Sequence, residues 1–143
     1  MTADYTIIVE DDDTAVIEVA TQGPPGTGQI TGLTSAPVNA FTAVALINGL
    51  LVPADPTNLA HIGRVVGVAT QSTAIVGGEV SYSELGPISG GVFTPGARHY
   101  LGLNGQITTT PKAPGALWAQ VLGNGMSGTT DFNINMEQPI ILG

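Results

Sequence analysis

The chain has 143 residues, of which 10% are charged, 43% are hydrophobic, 20 are Gly, 10 are Pro and none is Cys; the formal charge is −8. That length allows one ordinary domain, or a small domain with an arm, and excludes a large multidomain enzyme. Arg64, Arg98 and Lys112 are the three cations against eleven acids, so no basic stripe exists to track a nucleic-acid backbone or an anionic membrane surface, and neither partner is expected.

Other classes fall as quickly. Without Cys there is no disulfide framework and no thiolate metal site. A hydrophobic, charge-poor composition is the reverse of a disordered one. Soluble domains carry about 25% charged residues, so a share of 10% implies a surface that other molecules largely cover.

The opening MTADYTIIVEDDDT lacks a basic start and an apolar stretch, and no secretory signal is expected. Tyr5 to Val9 and Thr14 to Ala20 are β-branched runs on either side of Asp11-Asp12-Asp13, which reads as a hairpin. The three acids supply hard oxygen ligands for Ca²⁺, but the EF-hand spacing is absent, and a solvated loop is the simpler reading. Gln22 to Pro37 is rich in Gly, Pro, Ser and Thr and reads as a connector, placing a boundary at residue 38. Within it Gly23-Pro24-Pro25-Gly26 resembles a single collagen triplet; a stiff, polyproline-favouring link is expected there. The expected organisation is therefore an arm over 1–37 and a β domain over 38–143.

Ala43 to Ile47 and Leu50 to Val52 flank Asn48-Gly49, the strongest short-range hairpin signal, since both central positions of a type I′ turn take positive φ. The apolar stretch from Ala43 to Val52 falls well short of the roughly 20 residues a membrane helix needs. Asp55, Pro56 and Gly63 bracket one short helix as N-cap, first residue and C′. Further strands are read over Arg64 to Thr70, Glu79 to Tyr82, Val92 to Thr94, His99 to Leu103, Gln106 to Thr110 and Leu117 to Leu122. Asp131 to Glu137 alternates cleanly, with Phe132, Ile134 and Met136 on one face. Short strands without intervening helices give an all-β fold, a small barrel or sandwich of antiparallel strands.

Few residues offer chemistry. Gly123 to Gly128 matches GxGxxG, but a strand follows it where a dinucleotide site needs a helix, so it reads as a Gly-rich turn. His61 and His99 lie in no HExxH cluster and beside no GxSxG nucleophile, and both read as structural. Trp118, the lone indole, reads as core or inter-subunit packing. No catalytic, cofactor-binding or metal-binding residue is assigned, and no cofactor is expected.

Three stretches carry a resemblance. They are Asn58-Leu-Ala-His-Ile-Gly63-Arg64-Val-Val-Gly67-Val-Ala69, then Phe93-Thr94-Pro95-Gly96 through Tyr100, Asn104-Gly105 and Thr108 to Pro111, and lastly Ala119-Gln120-Val-Leu-Gly123 running to Gln138-Pro139-Ile140-Ile-Leu142. From about residue 55 the chain resembles a module of tailed-bacteriophage virion proteins, chiefly capsid decoration (cement) and head-fibre proteins, with relatives in tail fibres. The resemblance implies a structural role on the outer surface of the capsid, with the major capsid protein as partner and a trimer or other symmetric homo-oligomer as the assembly. It offers no catalytic residue to carry over. The long fibrous stalk of such proteins is reduced here to GPPG. A tail-fibre or receptor-binding tip is the alternative, but 5% aromatic residues leave little for stacking on sugars. A small hydrolase or ligand-binding barrel, from a third class, lacks any catalytic constellation.

Overall fold

The computed structural model describes residues 29–142. The expected hairpin over Tyr5 to Ala20, the Asp11-Asp13 loop and the GPPG link lie outside them.

The fold is all-β. β1 (Gln29–Leu33), β2 (Ala43–Ile47), β3 (Leu50–Pro53), β4 (Val65–Ala69) and β5 (Glu79–Ser83) form one antiparallel sheet in the order β1-β5-β4-β2-β3. β6 (Gly86–Ile88), β7 (Arg98–Leu101), β8 (Ile107–Thr108), β10 (Val121–Gly125) and β11 (Phe132–Ile134) form a second, ordered β6-β11-β10-β7-β8. β9 (Trp118–Ala119) and β12 (Ile140–Ile141) make a two-stranded ribbon. The two large sheets form a small sandwich.

The first sheet rolls on itself without closing. A register shift between Val44 and Ala45 against β4 adds twist, and the two sheet edges meet at one parallel bridge, Thr34 with Leu51. Rolling gives this sheet two buried faces. Val44, Leu51, Ala69, Val80 and Tyr82 enclose a small inner core with Val38. Ala43, Ala45 and Val68 point the other way, onto Ile88, Phe93, Leu101, Trp118, Leu122, Phe132 and Ile134 in the core between the sheets. Strands buried on both faces need not alternate, which is why β2 and β4 read as unbroken apolar runs.

Two glycines are fixed by geometry. Asn48 and Gly49 take φ of 53° and 79°, the left-handed pair of the predicted hairpin turn, and β2 and β3 pair across it. At Gly67 a Cβ would sit 2.2 Å from the Ser83 carbonyl oxygen, so β4 and β5 close together only because that side chain is missing.

Several local expectations change. Residues 29–33, read as part of the connector, are a strand paired with β5 from Gln29↔Ser83 to Leu33↔Glu79, and Thr34 is buried. The described fold thus begins at Gln29, upstream of the boundary expected at 38. The short helix shrinks to a 3₁₀ turn, Leu59–His61, and its cap is Asn58, whose Oδ1 accepts from Ala60 N–H. Asp55 instead turns back on Thr57, accepting from its N–H and hydroxyl. Val92 to Thr94 is not a strand; Phe93 plugs the inter-sheet core from a loop.

Candidate interaction surface

The residues singled out for chemistry are engaged in the fold. His61 Nδ1 accepts from Asp55 N–H at 3.0 Å, tying the 3₁₀ turn to the chain that enters it. Trp118 is fully buried and its Nε1 donates to the Asn58 carbonyl at 3.0 Å, which pins the same turn onto β9. His99 is buried between Phe93 and Phe132, with edge-on ring contacts at 5.8 and 5.2 Å. Its Nε2 accepts from Thr94 N–H, so Nδ1 carries the proton and donates to Ala97 O at 2.9 Å. Both His99 ring nitrogens are therefore engaged with backbone.

The GxGxxG match dissolves into strand and turn. Gly123 and Gly125 lie in β10, where a Cβ would strike the Asn133 and Thr94 carbonyl oxygens, and Gly128 turns the chain toward β11 at φ 77°. No helix opens there. Among the described residues no cluster of three His, Cys, Asp or Glu is placed to hold a metal, and no helix is long and apolar enough to cross a membrane.

Three clefts among the described residues each hold at most one ionisable residue, Glu137 in one and Arg64 in another. One of about 380 Å³ is lined by Gly102, Leu103, Gln106, Thr108, Thr110, Ala113 and Pro114. Another, of about 250 Å³, has Glu137 as its one ionisable wall, beside Gln120, whose Nε2 donates to Glu137 O. Neither gathers the acid, base and oxyanion donors that a reaction needs.

The surface is more informative. Six of the eleven acids precede Gln29 and all three bases follow it, so the first 28 residues carry −6 and the remainder −2. The charge of the whole chain is therefore mostly the charge of its N-terminal segment, and the body is nearly neutral. On that body large apolar side chains stand out in water. Val92 is 89% exposed, Ile75 71%, Ile141 70%, Val76 65% and Ile140 63%.

Two groups of these are held together by backbone. Leu33, Ile75 and Val76 meet at Thr34, which donates through N–H to Gly78 O and through Oγ1 to Ile75 O, and accepts from Gly77 N–H. Leu117, Ile140 and Ile141 meet on the β9–β12 ribbon, where Leu142 N–H donates to Leu117 O. Sequence reasoning missed both groups, because Gln29–Leu33 was read as linker and Ile140-Ile141 follows a Pro at the end of the chain. The signal available was the Ile-Thr pair inside QITGL.

Comparison with protein-family models, with curated proteins and with solved structures finds no match for this chain.

Proposed function

We propose that this protein is a structural component of a tailed-bacteriophage virion, a capsid decoration (cement) or short head-fibre protein that binds the outside of the head and stabilises it through symmetric contacts. Its partners are the major capsid protein and further copies of itself, with a trimer as the favoured assembly; the segment before Gln29 joins the body to the shell or to a neighbouring copy. No catalytic role is proposed.

The observation that supports this reading is the surface: a nearly neutral body that leaves Ile75, Val76, Val92, Ile140 and Ile141 more than 60% exposed. Apolar side chains grouped on a surface, as Ile75 with Val76 and Ile140 with Ile141 are here, mark a place that another molecule covers, and long-lived interfaces are more apolar than ordinary surface. The sequence resemblance over residues 55–142 names the kind of assembly.

Copy number tests it. Quantitative mass spectrometry of purified virions should find the chain in hundreds of copies, in fixed ratio to the major capsid protein. A handful of copies would move it to the tail, and its absence from particles would end the proposal.

A further inference from the structure

An asparagine can lose its side-chain amide to the backbone nitrogen that follows it, and glycine in the next position leaves that nitrogen unshielded by any Cβ. The chain has three such pairs, Asn48-Gly49, Asn104-Gly105 and Asn124-Gly125. The fold gives each a different setting. Asn124-Gly125 lies in β10, between β11 and β7, and Gly125 N–H donates to Ala97 O at 2.8 Å. The nitrogen that would attack is held in the sheet.

The other two pairs share one backbone shape. Asn104 and Gly105 take φ of 54° and 78°, against 53° and 79° at Asn48 and Gly49. Their surroundings differ. Gly105 is buried, and a Cβ there would sit 2.4 Å from Thr42 Cγ2 and 2.5 Å from Ala43 O. Gln106 N–H to Leu103 O and Gly102 N–H to Gln106 O close the turn around it. Asn48 and Gly49 are both exposed, and nothing lies within 4 Å of where a Gly49 Cβ would be. Among the described residues no hydrogen bond holds the Asn48 side chain or the Gly49 N–H.

We infer that Asn48 is a site of spontaneous covalent modification, selected by the fold from the three pairs. The Gly49 nitrogen attacks Asn48 Cγ, the new N–Cγ bond forms, and the Cγ–Nδ2 bond breaks. Nδ2 leaves as ammonia, taking the proton from the Gly49 N–H. Water then opens the succinimide at either carbonyl. Breaking the N–Cγ bond gives aspartate, and breaking the original peptide bond gives isoaspartate, with the chain running through Cγ. Aspartate keeps the turn, since Asp-Gly suits it as Asn-Gly does, and it adds a carboxylate to the cleft lined by Ile47, Ala60 and Arg64. Isoaspartate lengthens the turn by one backbone atom, which disturbs the pairing of Ile47 with Leu50 at the end of β2. The chemistry needs only the chain and water, so it stands apart from the virion reading.

The test follows the three asparagines by peptide mapping and mass spectrometry in full-length protein aged in mildly alkaline buffer, native in one arm and in guanidinium chloride in the other. In the native arm Asn48 should become acid roughly tenfold faster than Asn104 or Asn124, or more, because those two react only when the structure around them opens. In denaturant the three should convert at similar rates. Native Asn48 no faster than the other two would overturn the inference. So would a preference for Asn48 that persists unchanged in denaturant, since the flanking residues and not the fold would then select it. Asn48→Gly keeps a turn that needs positive φ and should abolish the main acidic species that ion exchange resolves from aged native wild type. Its persistence in that variant would overturn the inference as well.

Discussion

The two cores of this molecule are built from different side chains, and the contrast explains its architecture. Inside the rolled first sheet the filling is aliphatic, Val38, Val44, Leu51, Ala69 and Val80, with Tyr82 as the one ring. Between the sheets the second layer contributes Phe93, Leu101, Trp118, Leu122 and Phe132, while the first offers Ala43, Ala45, Ala54 and Val68. Large meets small across that gap. The same strands, β2 and β4, serve both cores, and the outward Ala43 and Ala45 of β2 make room for the rings of the opposite layer. A sheet with small residues on one face and branched ones on the other can roll and still be covered.

The comparison predicts unequal losses on truncation. Trp118→Ala should cost the most, about 3–5 kcal/mol, because it empties the inter-sheet core and leaves the Asn58 carbonyl without its donor. Leu51→Ala in the inner core should cost about 2–4 kcal/mol, since fewer atoms leave and the rolled sheet can tighten around them. Urea denaturation of both variants gives the order. Equal losses, or a larger one at Leu51, would mean that the inner core carries the fold and the second sheet is an accessory.

A smaller effect tests the roll itself. Gly67→Ala places a methyl group against the Ser83 carbonyl and the Tyr82 ring, so β4 and β5 must part. The expected cost is about 1–3 kcal/mol, the range for overpacking. Gly96, where nothing lies within 4 Å, is the contrast position: alanine there meets the strain of a positive φ and no clash. Thermal melts that rank the two equally would remove close packing as the reason for Gly67.

How far the sequence announces these regions depends on where each strand's partner lies. The Asn48-Gly49 hairpin is legible because turn and both strands lie within eleven residues. The alternation of Phe132, Asn133 and Ile134 is legible because one face of β11 is buried and the other half-exposed. β1 is not, since QITGL is a weak strand by composition and gains its place from β5, 50 residues away at Thr31↔Ser81. β6 hides behind Pro87, a residue that argues against strand except at an edge, where it lies. The place of β1 at the end of the sheet order is less visible still. Whether a strand has one neighbour or two is set by topology, and no local pattern records it. The charge partition needed only counting.

The finest distinction between the cores is chemical. Tyr82 is the one inner-core residue that titrates, and burial, followed by the negative charge of Glu84, raises its phenol above the ordinary value near 10. In the unfolded chain that phenol ionises first, so between the unfolded and folded values the folded state holds a proton that the unfolded state has lost. Stability from this group is complete below the unfolded value and declines as pH rises through the folded one. Tyr82→Phe abolishes the titration and should flatten the stability profile above pH 10 while changing little near neutrality. The measurement is urea midpoint against pH for wild type and variant. The two curves should run together at pH 7 and separate upward of 10, with the variant on top. If they stay parallel, Tyr82 ionises as freely in the fold as outside it, and the inner core is wetter than its aliphatic lining implies.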